Sequence, residues 1–296
     1  MAVFTELNLK NAQALCEKYG LTINKITPIA EGVTNSNYLI HDTEKKQYVL
    51  TVVEQICPMK LEPLLDVLTT LPDTVPHPRM IKTLIGHTAE IFNNKPIIIC
   101  EFVKGGHLDK PSTTQITAIA KAMACLHQHD VPDFKRQNPR GLLWMQEISE
   151  IILPKLNVDE LSLLENTLAD INQVNFELLP KGIIHCDLFR DNTLYMHDKL
   201  MAIIDFYYAC FDSLLFDIAI SVNDWCFDKP ELFLDAYQSV RPLTDIELEH
   251  FHLMRRVACV RFWLSRLYDL HFPVEGALVP VKDPGEMWDK LRMLGN

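Results

Sequence analysis

Gly182-Ile-Ile-His185-Cys-Asp187-Leu-Phe-Arg-Asp-Asn192-Thr-Leu-Tyr195 is the segment from which the rest of the chain can be ordered. Thirteen residues past Asn192 comes a second acidic residue, in Ile203-Ile-Asp205-Phe. Gly182 to Ile184 is a short apolar run of β character, and Met201 to Ile204 is another. Between them lies a polar loop and a strand pair that returns the chain to Asp205. An Asp and an Asn five residues apart mean nothing alone. The ordered set is restrictive: apolar strand, His-x-Asp, four residues, Asn, hairpin, apolar pair, Asp.

On the N-terminal side the chain is rich in strands. After a short helix over residues 4–19, strands are expected at Ile26 to Ile29, Asn37 to His41 and Gln47 to Val53, the last two joined by the polar turn Asp42 to Lys46. Leu61, Leu64, Leu65 and Leu68 predict a helix over residues 60–71. Thr88 to Phe92 pairs with Pro96 to Phe102 across Asn93-Asn94, and Gly105-Gly106 then breaks the chain. Beyond that break the pattern turns helical, with an amphipathic stripe over residues 113–129 and further helices over 143–178 and 231–270. The reading is an α+β protein of two lobes. Residues 1–104 form a small lobe around an antiparallel sheet, and residues 105–296 form a larger, mostly helical lobe, with Gly105-Gly106 as the hinge.

Composition agrees with a globular protein having a substantial core: 48% of residues are apolar and 23% charged. The net charge of −11 argues against general binding to nucleic acid or to a membrane surface, since either favours basic patches. The eight cysteines form no C-x-x-C pair and mostly sit in apolar runs, as expected of thiols in a reducing compartment. No basic, then apolar leader opens the chain, and no apolar run is long enough to span a bilayer. A cytoplasmic location is expected.

Phosphoryl transfer is the chemistry that calls for this set of residues. It needs an aligned hydroxyl and cations that neutralise phosphate oxygens, and little covalent help. Asp187 is the candidate to accept the hydroxyl proton, and His185 to brace the loop by hydrogen bonds. Asn192 and Asp205 offer hard oxygen ligands to Mg²⁺, which the phosphates of ATP would complete. The smaller lobe should hold the nucleotide. Gly32, Asn35, Ser36 and Asn37 lie in a turn between two strands that is a candidate phosphate cover. Glu101 and Val103 lie where a strand's end can offer backbone groups to adenine. The same features also fit an ordinary hairpin turn and a buried strand.

Taken together, these segments resemble the aminoglycoside phosphotransferase and choline kinase group, relatives of the protein kinases in fold. Within that group the chain looks most like the bacterial homoserine kinase family. Asn138-Pro-Arg-Gly141-Leu-Leu-Trp144, Phe216-Asp-Ile-Ala-Ile220-Ser-Val-Asn-Asp-Trp225 and Arg261-Phe-Trp-Leu-Ser-Arg266-Leu-Tyr-Asp269 carry the closer match. The resemblance implies a bilobal protein-kinase-like fold, ATP and L-homoserine as substrates, and O-phospho-L-homoserine as product. A kinase of the same group acting on choline, an amino alcohol, a sugar or an aminoglycoside is the alternative. Homoserine presents a carboxylate and an ammonium besides its hydroxyl. Arg261 and Arg266 are candidates for the carboxylate, Asn223 and Asp224 for the ammonium. Both arginines also fit structural ion pairs with Asp217, Asp224 or Asp269. One departure stands out. Kinases of this fold carry a Lys in the third strand for the α- and β-phosphates, and Thr51 occupies that place here.

Overall fold

The computed structural model describes residues 5–29, 34–273 and 282–295. The chain divides into two compact units. One comprises the chain up to Leu71 and His77–Lys104; the other comprises Pro72–Pro76, Gly105–Val274 and Val281–Asn296.

The smaller unit contains α1 (Leu9–Glu17), β1 (Ile23–Pro28), β2 (Ser36–Asp42), β3 (Gln47–Val52), α2 (Pro58–Thr70), β4 (Ala89–Phe92) and β5 (Lys95–Glu101). Its five strands form an antiparallel sheet in the order β1-β2-β3-β5-β4. Strand alternation decides which face is buried. Tyr38 and Ile40 of β2, Tyr48, Leu50 and Val52 of β3, and Ile97 and Ile99 of β5 share one face with Ala12, Leu15 and Cys16 of α1. The β4–β5 turn uses Asn93 and Asn94, both at positive φ (49° and 64°), as a two-residue hairpin turn with matching twist requires.

Past β5 the larger unit resumes at Gly105-Gly106. These glycines do not stand free: Gly106 exchanges both backbone hydrogen bonds with Tyr195, at 2.9 Å each. A Cβ on Gly105 would meet Leu194 Cβ at 2.9 Å, so only glycine permits this approach. The remaining elements are α3 (Thr113–His127), α4 (Leu142–Ile152), α5 (Val158–Asn172), β6 (Lys181–Ile184), β7 (Thr193–Met196), β8 (Lys199–Ile203), β9 (Cys210–Ser213), α6 (Leu214–Trp225), α7 (Pro230–Gln238), α8 (Asp245–His271) and α9 (Gly285–Gly295). β6 pairs with β9 and β7 with β8, both antiparallel. α6 is buried along nearly its whole length and packs on α8, a 27-residue helix opened by a Thr244/Glu247 capping box. Among the described residues, no helix is long and apolar enough to cross a membrane.

Candidate active site

β6 delivers the chain into the loop 185–192, and β7 and β8 return it to Asp205, so both acidic residues stand at strand ends within the larger unit. The loop starts on a buried carboxylate. Asp217 in the first turn of α6 accepts the N–H of His185 on Oδ2 and that of Cys186 on Oδ1, both at 2.8 Å, and His127 Nε2 on Oδ2 at 3.1 Å. Burial alone would raise the Asp217 carboxyl, but the His127 bond and these backbone donors hold it below the usual range. His127 in turn meets Tyr237 Oη at 2.7 Å, and Arg241 bridges Tyr237 to Glu247. Holding two successive N–H groups on one carboxylate turns Cys186 to φ 66°, a left-handed conformation rare outside glycine.

His185 is fully buried, and burial lowers its pKa, so it is neutral. Its Nε2 lies 2.9 Å from the Ile204 carbonyl oxygen, which only accepts; the single ring proton is therefore on Nε2. The histidine thus ties the loop to the residue just before Asp205. Ile204 N–H also donates to Asn192 O at 2.9 Å. Asp205 itself is left-handed, at φ 64° and ψ 52°. Desolvation raises its carboxyl pKa.

Asn192 Nδ2 donates to the Asp187 carbonyl at 2.7 Å and to Asp187 Oδ2 at 3.0 Å. The amide nitrogen is thereby engaged, and the side-chain Oδ1 remains as its outward oxygen. Asp187 is pushed up to about 7, first by burial and further by Asp205, with Arg261 opposing. Arg261 Nη1 lies 3.9 Å from Asp187 Oδ1. The arginine is 3% exposed, its guanidinium rests 3.6 Å above the Phe262 ring, and its buried Nε has no hydrogen-bond partner among the described residues. His185, Asp187, Asn192, Asp205 and Arg261 are thus gathered in one place.

The other expected acceptor contacts lie elsewhere. Asn223 is buried and ties α6 to α8: its Oδ1 accepts Arg255 Nε and its Nδ2 donates to Arg255 O, both at 2.8 Å. Asp224 clamps the loop, accepting Arg190 N–H at 2.8 Å and Nε at 3.0 Å on Oδ2, and Nη2 at 3.1 Å on Oδ1. Ser221 Oγ and Trp225 Nε1 both donate to Leu188 O at 3.1 Å. Asp217, Ser221, Asp224 and Trp225 thus make a stripe at helical spacing that faces the loop. Arg266 donates to Asp283 O at 2.7 Å and to Glu286 Oε2 at 2.9 Å, holding the start of α9. Sequence reasoning considered Asp217 only as a partner for arginine. Its signal was present, an acid one helical turn before Ser221 in a helix that is otherwise apolar there.

In the smaller unit, Gly32 lies outside the described residues. Ser36 shares the core face of β2, where its Oγ donates to Glu54 Oε1 at 2.6 Å and accepts Thr5 N–H at 3.0 Å; Lys95 pairs with the same Glu54. Strand alternation thus turns the Ser36 side chain to the core side, so the nucleotide contact expected of Ser36 would fall to its backbone. Asn35 Oδ1 accepts Glu54 N–H at 3.0 Å. Asn37 is on the opposite face, where its Oδ1 accepts Thr51 Oγ1–H at 2.7 Å. At the end of β5, the N–H groups of Glu101 and Phe102 bond Arg79 O and Gln47 O, Glu101 pairs with Lys46 through its side chain, and Val103 follows beyond the strand.

Among the described residues no group of three His, Cys, Asp or Glu is placed to hold a metal alone. The donor set of Asn192 Oδ1 and the solvent-accessible Asp205 carboxylate, both hard oxygens, fits a cation that brings ligands of its own.

Comparison with known proteins bears on the same residues. The phosphotransferase enzyme family matches residues 25–242. A homoserine kinase of Methylobacillus flagellatus is 38% identical, with 96% of this chain and 92% of the relative covered. A homoserine kinase of Polaromonas naphthalenivorans is 34% identical, covering 99% and 97%. Among solved structures, the amicoumacin kinase hAmiN in complex with AMP-PNP, Ca²⁺ and Ami superposes with a TM-score of 0.70 at 13% identity, covering 96% of this chain and 92% of that one. At that identity the likeness speaks for the fold, which is the protein-kinase-like one.

Proposed function

Because the chain belongs to the phosphotransferase enzyme family, and within it to the homoserine kinase family, we propose that it transfers the terminal phosphoryl group of ATP to the hydroxyl of L-homoserine, giving O-phospho-L-homoserine and ADP. Arg261 is the observation that carries the acceptor's identity: a buried guanidinium with an unpartnered Nε, 3.9 Å from the carboxylate of Asp187. A guanidinium there suits an acceptor's carboxylate and repels a cationic acceptor such as choline.

In this reading Asp187 is the general base. As the acceptor oxygen forms its bond to the γ-phosphorus, the bond from that phosphorus to the β–γ bridging oxygen breaks, ADP leaves, and the hydroxyl proton passes to Asp187. A carboxylate near pH 7 in its own titration is matched to that task at neutral pH. Asn192 keeps Asp187 oriented through Nδ2, and neutral His185 braces the loop on Ile204. Asn192 Oδ1 and Asp205 would hold Mg²⁺, which when bound neutralises the phosphate oxygens. For the nucleotide, the turn containing Gly32, Asn35 and Asn37 and the strand end at Glu101 and Val103 are the proposed contacts, through backbone groups.

Release of ADP, measured over a panel of homoserine, serine, choline, methylthioribose and an aminoglycoside, tests the proposal. Homoserine should give the highest kcat/KM. Faster turnover of choline or the aminoglycoside would overturn it.

A further inference from the structure

The group in transfer spreads negative charge over its equatorial oxygens, and a kinase meets that charge with fixed cations. Thr51 supplies none, since its hydroxyl is bonded to Asn37. Within the loop 185–192, Arg190 is committed to Asp224 and to the Asp109 carbonyl. Arg261 is assigned above to the acceptor. A further cation approaches the loop from the far end of the chain. Lys282 Nζ lies 2.5 Å from Asp191 Oδ2 and 5.4 Å above the Phe189 ring. Those are the residues four and two positions past Asp187, and Asp191 directly precedes Asn192.

The ion pair with Asp191 is no structural staple. The two side chains are 57% and 51% exposed, and exposed pairs of this kind hold weakly. Backbone anchoring next to Lys282 is firm by contrast. Arg266, 7% exposed, grips Asp283 O and Glu286, and Lys290 adds a second bond to Glu286. A buried arginine thus fixes the chain directly beside an exposed, weakly paired lysine at the catalytic loop.

Building on the phosphotransfer reading, we propose that Lys282 is a further catalytic residue: its ammonium leaves Asp191 for an oxygen of the transferring phosphoryl group, supplying charge that the third strand of the sheet lacks. Arg266 is then a positioning residue for Lys282. The shared chemistry is an anionic oxygen, and the acceptor's carboxylate is the other group that could offer one.

Three substrates separate the possibilities: homoserine, 3-amino-1-propanol (the same amino alcohol without the carboxylate), and water in the slow hydrolysis of ATP. Lys282→Met should lower kcat by roughly 10²- to 10³-fold with all three, as loss of one electrostatic partner of the transition state does. KM for ATP and homoserine should move less than about threefold, the melting temperature should be unchanged, and Lys282→Arg should restore most of the rate. Asp191→Asn, which removes the resting partner alone, should leave kcat within about twofold. A loss confined to homoserine and expressed in KM would overturn the phosphoryl role in favour of the carboxylate. Unchanged rates, or an equal fall in Asp191→Asn, would also overturn it. If homoserine is not the acceptor, wild-type turnover of homoserine is itself missing, while the hydrolysis measurement still reports on Lys282.

Discussion

Arg261 and Arg266 lie five residues apart on α8, are 3% and 7% exposed, and resemble each other in sequence context. Their surroundings make them opposites. Arg266 has a carboxylate at 2.9 Å and a carbonyl at 2.7 Å, and its ionic partner is matched in turn. Burial alone would raise the Glu286 carboxyl, but Lys290 and Arg266 hold it down at about 2. Arg261 rests on an aromatic face with Nε unpartnered and a carboxylate 3.9 Å away, at the outer limit of an ion pair. A buried charge costs several kcal/mol to desolvate unless it is paired. Arg266 meets that cost within the protein. Arg261 does not meet it fully within the protein, which is why the acceptor's carboxylate is proposed as its partner.

The contrast depends first on Asp187 being the group that Arg261 serves. Asp187→Asn should lower kcat by about 10²- to 10⁴-fold while ATP still binds, checked by steady-state kinetics and calorimetry. A variant with half the wild-type kcat would remove Asp187 from the chemistry and leave Arg261 facing nothing of consequence. Next, Arg261→Met should raise KM for homoserine by roughly 10- to 150-fold, the equivalent of about 1.5–3 kcal/mol for a charge-assisted contact, and spare KM for ATP. An unchanged homoserine KM would put both arginines in the structural class.

Arg266→Met should behave in the opposite sense. Breaking its pair with the half-exposed Glu286 costs about 1–3 kcal/mol, so the melting temperature should fall by roughly 2–8 °C. KM for homoserine should hold, with any loss confined to kcat through Lys282. The smallest effect is a pH-dependent one. Asp187 has a folded pKa of about 7, above its unfolded value. Its contribution to stability is therefore fully present below the unfolded pKa and is lost as pH rises through 7. In metal-free buffer, Asp187→Asn should melt higher than wild type by about 1–3 °C at pH 8.5, with the difference shrinking at pH 5.5. A constant difference would mean that the carboxyl does not titrate in this range.

The loop 185–192 and Asp205 were legible in the sequence because phosphoryl transfer restricts residue types and spacing together. The strands of the smaller unit and the helical ranges holding α1 to α5, α7 and α8 were legible from periodicity, whereas α6, apolar nearly all round, shows no stripe and was not read as a helix, nor was α9. Direction was harder to read. Asn223 and Asp224 were expected to face the acceptor's ammonium because they supply oxygens in a segment that carries the resemblance, but the helix they lie on presents oxygens equally to a neighbouring loop or helix, and nothing local says which. The direction of the Ser36 side chain is a different case. Tyr38 and Ile40, two and four residues on, already marked its side of the strand as the core side. Gly105-Gly106 suggested a hinge because glycine permits motion, but it also permits close approach, and Leu194 shows that the second property is in use. Lys282 carried no signal at all. It lies ninety-one residues from Asp191, and only the folded chain brings the two together.

Asp217, Ser221, Asp224 and Trp225 make every contact between α6 and the loop described above, and they do so from one rigid rod. This makes the helix a ruler. Its other faces are buried as well, so what they tolerate while the four marks keep their phase is exchange between apolar residues of similar volume. One inserted or deleted residue between Asp217 and Ser221 would turn the later marks by about 100° and shift them by about 1.5 Å, so that three of the four would miss their targets together. The segment should therefore drift in composition over evolutionary time and never in length.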